Sequence, residues 1–226
     1  MIQLSSRLLA AASMVRGGGV LADIGTDHAY LPVFLMQNGI VPRVIASDVG
    51  EGPLNNARKT VAAYGLSDRI DLRLSDGLNR FFPEEVSEIV ICGMGGNLIE
   101  EILSSAPWIM NDRMHLVLQP MTHTEDVRRF LCSHGFRIDR ETVTEDTGRY
   151  YLSISAVWDD LQDPGCEGYY YFGTLLHQPG NAQKIVKKQL DRIKTRLNAL
   201  KTANRNTDEQ SVLSSVLAYY EKETSR

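Results

Sequence analysis

The 226-residue sequence has few cysteines and no long uncharged apolar run. Its three cysteines are too few and too far apart for a disulfide framework, and no Cys or His pair has the spacing of metal ligands. No apolar stretch approaches the roughly 18 residues that span a bilayer. The N-terminal apolar run 8–15 lacks a signal-peptide cleavage site, and its helical spacing predicts an amphipathic first helix. We therefore expect a cytoplasmic protein that binds no metal and no membrane.

Charge is distributed unevenly along the chain. Residues 1–160 carry a net charge of −7, whereas residues 161–226 carry +3. Between residues 184 and 205 the net charge is +7, with Asp191 as the single acid. These differences predict an acidic domain at 1–160 and a second, basic domain at 161–226.

From residue 20 onward, short β-branched runs alternate with helical patterns, which is typical of a parallel sheet covered by helices. The predicted strands are residues 20–24, 43–47, 70–74, 88–92 and 115–119. The predicted helices between them are residues 30–38, 53–64, 97–105 and 124–134. The pattern predicts an α/β fold with a Rossmann-like sheet.

The chain after residue 135 predicts a hairpin and then a helical module. Strand-like runs at 136–143 and 150–158 flank six mostly polar residues, which indicates a β-hairpin whose last strand enters the sheet antiparallel. By fold analogy, this layout is that of methyltransferases that use S-adenosylmethionine (SAM). Residues 159–168 read as a linker. A heptad seam at 186–200 and a second apolar face predict an antiparallel coiled-coil hairpin that turns at 204–207.

Acids and glycines follow the predicted strands. Asp23, Asp48 and Asp76 lie at three successive strand ends, and Gly93-Met94-Gly95-Gly96 follows the fourth. The carboxyl ends of parallel strands share one edge, where ligands bind. The G-x-G-x-x-G fingerprint of dinucleotide sites is absent, and the acids of the first loop would repel a diphosphate. SAM carries an ammonium and a sulfonium, so the electrostatics favour SAM, although each acid taken singly also suits a helix cap or a turn.

Several segments resemble the bacterial tRNA (adenine(22)-N1)-methyltransferases along the whole chain. They are residues 23–32 (DIGTDHAYLP), 75–78 (SDGL), 91–96 (ICGMGG) and 118–120 (LQP). The resemblance implies a class I methyltransferase that moves a methyl group from SAM to N1 of adenine 22 in tRNA. Met121 and Thr174 depart from the asparagine and proline that the family often has at these places.

The resemblance and the strand ends together give the candidate site. Asp27 is the implied catalytic residue. The predicted cofactor-binding residues are Arg7, Asp23, Gly25, Thr26, His28, Asp48, Val49, Asp76, Gly77, Gly93 and Met94. The predicted substrate-binding residues are Gly95, Gln119, Pro120, Tyr150, Lys187, Lys188, Arg192 and Lys194. The expected partner is tRNA, and a monomer is favoured.

Two other functional classes remain open at this point. One is a nucleotide-dependent oxidoreductase on a Rossmann-like sheet, which the missing glycine fingerprint opposes. The other is a non-catalytic adaptor whose helical hairpin binds a partner, which the acids at the strand ends oppose. The basic helix itself has a simpler interpretation as the solvated face of a structural hairpin.

Overall fold

A computed structural model describes residues 1–160, 165–203 and 208–225. One seven-stranded sheet forms its centre, in the order β3-β2-β1-β4-β5-β7-β6. The strands are β1 Val20–Ile24, β2 Arg43–Asp48, β3 Ile70–Leu74, β4 Glu88–Met94, β5 His115–Pro120, β6 Phe136–Asp146 and β7 Arg149–Trp158. The first five strands pair in parallel, and β7 pairs antiparallel with both β5 and β6. The predicted mostly parallel sheet with an antiparallel last strand is confirmed.

Helices cover both faces of this sheet. They are α1 Ser6–Ala12, α2 Tyr30–Gln37, α3 Glu51–Ala63, α4 Gly96–Ser104, α5 Thr124–Ser133, α6 Glu167–Phe172, α7 Asn181–Thr202 and α8 Asp208–Thr224. Successive strand residues point to opposite faces, so Val90 joins the apolar cluster under α1 to α3, and its neighbours Ile89 and Ile91 join the cluster under the other helices. In the described part of the chain, no helix combines the length and apolarity needed to cross a membrane.

The β-hairpin is longer and tighter than the sequence predicts. The two strands pair as far as Asp146 and Arg149, so Thr147 and Gly148 alone form the turn. Both turn residues have positive φ, 49° and 75°, which matches the twist of a two-residue hairpin. The predicted six-residue loop was therefore too long. Polar residues can also lie in the solvated end of a strand pair, as residues 144–146 and 149 do here.

The C-terminal helices form the predicted apolar seam and also pack onto the sheet. The seam residues Val186, Leu190, Ile193, Leu197 and Leu200 are buried, in the same cluster as the core under β4 and β5. The predicted linker ends in α6, which begins at Glu167, while residues 161–164 and the predicted turn 204–207 lie outside the described residues. The domain boundary at 160 stays a prediction.

A buried ion pair joins the C-terminal helices to the sheet. Arg128 on α5 donates from Nε to Glu141 on β6 at 2.7 Å, and its Nη1 donates to the carbonyl of Tyr170 at 2.8 Å. The second carboxylate oxygen of Glu141 accepts from the backbone N–H of Thr174 at 2.7 Å and from its hydroxyl at 2.8 Å. Because a buried charge that loses its partner costs several kcal/mol, this network fixes α6 and the following turn against α5.

Candidate active site

The first four strands end at one edge of the sheet, and their following loops converge there. β1 lies between β2 and β4, with Ile24 opposite Ser47 on one side and Ile91 on the other. Asp23 and Asp48 thus occupy neighbouring strand ends, as the spacing of the sequence predicts. Gly93 interrupts the pairing of β4 with β5 as a bulge, since the register shifts between Cys92 and Met94.

A cavity of about 190 Å³ opens at this edge. Its lining comes from α1, the end of β1, the loop that follows, the first turn of α2 and β4. The lining residues are Arg7, Leu8, Asp23, Gly25, Thr26, Asp27, His28, Tyr30, Leu31 and Cys92. The structure therefore brings together six predicted site residues, from Arg7 to His28. Tyr30 lies within the DIGTDHAYLP segment, so its position beside the acids was a signal available in the sequence.

The loop after β1 is held close to the sheet by its backbone. The N–H groups of Gly25 and Thr26 both donate to the carbonyl of Ser47, at 2.8 and 2.9 Å. Gly25 has a φ of 77°, and a Cβ there would lie 2.2 Å from the terminal methyl carbon of Met94. The positive φ favours glycine at position 25, and the flexible end of Met94 packs against this loop in the space that a side chain would take.

Asp23 is a buried acid at the end of β1. The pKa of Asp23 is raised to about 6, chiefly by burial and also by the negative charge of Asp48, while the neighbouring Thr26 side chain opposes part of the rise. Within the described residues, Asp23 forms no ion pair. A buried carboxylate of this kind fits a cationic ligand group, such as the ammonium of SAM.

Arg7 of α1 also lines the cavity. Its Nη1 lies 3.7 Å from the position that a Cβ on Gly93 would take, and its guanidinium lies over the ring of Tyr151 at 5.7 Å. Its backbone N–H donates to Asp146 at the tip of the hairpin, 3.3 Å away. Residues far apart in the sequence thus bring one guanidinium to the cofactor edge.

Gln119 is not placed where a substrate could reach it, which corrects the sequence prediction. Its side chain is fully buried, and both ends of its amide are occupied within the protein. Oε1 accepts from Arg7 Nη1 at 3.1 Å, while Nε2 donates to the Arg7 carbonyl at 2.9 Å and to Ser153 Oγ at 3.0 Å. A polar residue at a strand end looks available in sequence, but α1 covers this one.

Asp27 stands at the mouth of the cavity. Its side chain is 63% exposed, and its backbone has a φ of 44°, a left-handed conformation uncommon outside glycine. The Nε2 atom of His28 lies 3.5 Å from Asp27 Oδ2, and the His28 and Tyr30 rings stack with centroids 5.0 Å apart. The strained loop presents an accessible carboxylate beside a flat aromatic surface.

The remaining predicted cofactor residues border the open side of the site. Asp48 accepts the N–H of Gly50 with Oδ1 at 2.9 Å. Val49 is 71% exposed beside it, and Asp76 is exposed at the end of β3. Gly77 has positive φ and packs against α4. The structure places these four residues on the predicted edge but outside the lining of the cavity.

Gly95 caps the start of α4 against the loop after β5. The N–H of Gly96 donates to the Thr122 carbonyl at 2.8 Å, and a Cβ on Gly96 would lie 2.2 Å from the carbonyl oxygen of His123. Glycine at position 96 therefore permits two loops to touch. The assignment of Gly95 to the substrate stays a prediction.

A larger groove of about 620 Å³ lies between the β-hairpin and α7. The loop after β5, the hairpin and one face of α7 line it. The predicted residues that line it are Pro120, Tyr150, Lys188 and Arg192, and further lining residues include Met121, His123, Arg149, Tyr151 and Lys184. Arg192 binds the buried carboxylate of Glu125, so part of its charge is already compensated.

Two predicted substrate lysines are not at this groove. Lys184 and Lys188 line it together with Arg192, at intervals of four residues that place them on one helix face. Lys187 and Lys194 are exposed on α7 but absent from its lining. The four-residue spacing of Lys184, Lys188 and Arg192 was visible in the sequence. The sequence did not show which face of α7 packs toward the sheet.

The sheet topology and the cavity with its buried acid are those of a methyltransferase. Residues 4–154 match the methyltransferase domain family. A tRNA (adenine(22)-N(1))-methyltransferase from Bacillus subtilis is 35% identical over 79% of this chain and 74% of its own. This chain belongs to that family. The crystal structure of the B. subtilis m1A22 tRNA methyltransferase TrmK has a TM-score of 0.85 at 27% identity, over 98% of this chain and 97% of the other.

A second solved structure bears on the cofactor. Streptococcus pneumoniae Sp1610, described as a putative tRNA (m1A22) methyltransferase in complex with SAM, has a TM-score of 0.80 at 34% identity. The match covers 95% of this chain and 100% of that one. SAM is accordingly the cofactor of this family, and the oxidoreductase and adaptor alternatives give way to a methyltransferase.

Proposed function

We propose that this chain transfers a methyl group from SAM to N1 of adenine 22 in tRNA. The observation that carries the proposal is a cavity lined both by the buried carboxyl of Asp23 and by the guanidinium of Arg7, in a chain of this family. The methionine end of SAM carries one ammonium and one carboxylate, which suit these two side chains. Asp48 accepts from the ribose hydroxyls in this proposal, and Asp76 from the adenine amine.

Arg7 is the carboxylate partner because of what else lines the cavity. It is the one permanently cationic side chain among the described lining residues. The ionised carboxylate of Asp23 binds the ammonium group of SAM. Gly93 leaves room beside the Arg7 guanidinium, since a Cβ at that position would lie 3.7 Å from Arg7 Nη1.

When bound, SAM supplies a methyl group on a sulfonium, and adenine N1 attacks it with its lone pair. Asp27 holds a negative charge near the base, which becomes cationic as the N1–methyl bond forms and the sulfur–methyl bond breaks. The same carboxylate can accept a proton from the exocyclic amine. The His28 and Tyr30 stack offers a flat surface beside it. Alignment and charge stabilisation of this kind lower a barrier by several kcal/mol.

The groove beside α7 is the proposed path of the RNA. Lys184, Lys188 and Arg149 place positive charge along it, and phosphate contacts supply most of the affinity of such surfaces. Tyr150 is exposed at its edge and can stack on a base. We infer that the enzyme works in the cytoplasm as a monomer.

The test is to incubate the protein with labelled SAM and an unmodified tRNA that carries adenine at position 22, and then to map the modified base. The matched control is the same tRNA with guanine at position 22. We expect one methyl group per tRNA, located at N1 of adenine 22, and no label in the control. Equal labelling of both tRNAs, or a modified base elsewhere, would refute the assignment.

A further inference from the structure

Gln119 connects three parts of the fold at the cofactor edge. It is the penultimate residue of β5, opposite Cys92 of β4, and α1 packs over it. Its amide oxygen accepts one hydrogen bond, and its NH2 group donates two, so both amide protons are used. Two of the three bonds are made to Arg7, 112 residues away in the sequence.

The guanidinium of Arg7 is held at one atom and left open at the others. Nη1 donates to Gln119, whereas Nε and Nη2 donate to no protein acceptor in the described part of the chain. Asp146 contacts the backbone N–H of Arg7, so its carboxylate does not occupy the guanidinium. The free donors can thus engage a carboxylate in the fork geometry that arginine prefers.

We propose that Gln119 is a positioning residue that orients Arg7 toward the carboxylate of SAM; this rests on the proposed use of SAM. A neutral amide suits the task because it fixes the guanidinium without compensating its charge. A carboxylate in the same place would pair with Arg7 and compete with the ligand. Replacing the amide by a carboxylate would also remove the two N–H donors that bind the Arg7 carbonyl and Ser153 Oγ.

The experiment compares SAM with decarboxylated SAM, which keeps the ammonium and the sulfonium, by calorimetry. The parent protein should bind SAM at least tenfold more tightly than the decarboxylated ligand. Gln119→Glu should weaken SAM binding at least tenfold and change binding of the decarboxylated ligand by less than threefold. A purely structural role would weaken both ligands equally, and that result would overturn the proposal.

Two further variants keep the proposal falsifiable. Gln119→Met, which has similar volume and no charge, should also lose preference for SAM over the decarboxylated ligand, even if the Glu variant fails to fold. In an Arg7→Ala background, Gln119→Met should change that preference by less than twofold, because its effect passes through Arg7. A full effect there would refute the coupling. A parent that binds neither ligand would refute the use of SAM itself. A parent that binds both equally would refute this inference together with the assignment of Arg7 to the carboxylate, and would leave the use of SAM standing.

Discussion

Replacing Asp23 by asparagine should stabilise the ligand-free protein while damaging its cofactor site. Burial raises the pKa of Asp23 from an ordinary 3.8 to about 6. A rise of about two units corresponds to about 3 kcal/mol of cost for holding the ionised carboxylate in the folded state. Asparagine is similar in shape and never ionises, so Asp23→Asn should remove most of this cost.

The pH dependence has a definite sign. Above pH 6 the folded carboxyl is ionised and the full cost is present. As the pH falls through 6 the folded state takes up a proton before the unfolded state does, so the cost shrinks, and it is gone below 3.8, where both states are protonated. The stability advantage of Asp23→Asn should therefore be largest at pH 8 and vanish near pH 4.

Thermal unfolding measured without ligand from pH 4 to pH 8 gives the assay. For a chain of this size, 3 kcal/mol corresponds to a rise in Tm of roughly 6–12 °C at pH 8. Asp68→Asn is the matched control, because Asp68 is an exposed acid outside the cavity and should leave Tm within about 1 °C of the parent. A variant that is no more stable than the parent at pH 8 would refute the reasoning.

SAM should reverse the order of stability. The ammonium has an ionised partner only in the parent, so Asp23→Asn should bind SAM at least tenfold more weakly and gain less Tm on its addition. SAM affinity of the parent should also fall below pH 6, by at most about tenfold per pH unit for one proton. If the two proteins gained equal Tm from SAM, Asp23 would have no role in holding it.

The other predictions concern the reacting base and the RNA. Asp27→Ala should leave SAM affinity within threefold of the parent and lower single-turnover methyl transfer at least tenfold, because Asp27 acts only on the reacting base. A rate of methyl transfer within twofold of the parent would exclude that role. Lys184→Glu with Lys188→Glu should weaken tRNA binding and reduce the slope of log affinity against log salt by about 0.7–0.9 per lost phosphate contact. Lys187→Glu with Lys194→Glu changes the charge equally away from the groove and should do less; equal effects from both pairs would refute the groove.

The sheet was largely predictable because its signals are local. β1 and β3 have the bounds that their apolar runs predict, and β2, β4 and β5 extend one or two residues further at their C-terminal ends. The hairpin was less predictable, because Thr144 to Asp146 are polar in a strand that faces solvent. Pairing across a two-residue turn, which involves both strands, decided their conformation.

The residues of the site that directly follow a strand were predictable from the sequence. Asp23 and Gly25 are located by the strand that precedes them. The burial of Gln119 was not predictable in this way, because it depends on a helix that begins more than a hundred residues earlier. The same limit applies to Lys187, since a helix sequence shows which residues share a face but not which face meets another domain.

The orientation of α7 depends on contacts that include one of the departures from the family. Thr174 stands where proline is common, and its backbone N–H and hydroxyl both donate to Glu141. Proline has neither donor, so Glu141 gains in this chain two hydrogen bonds that proline would not supply. Glu141 in turn holds Arg128, which binds the backbone of α6, and Glu125 on the same helix α5 holds Arg192 of α7. Two separate ion pairs of α5 therefore anchor the C-terminal helices: Arg128 with Glu141 holds α6 against the sheet, and Glu125 with Arg192 holds the basic face of α7 beside the groove.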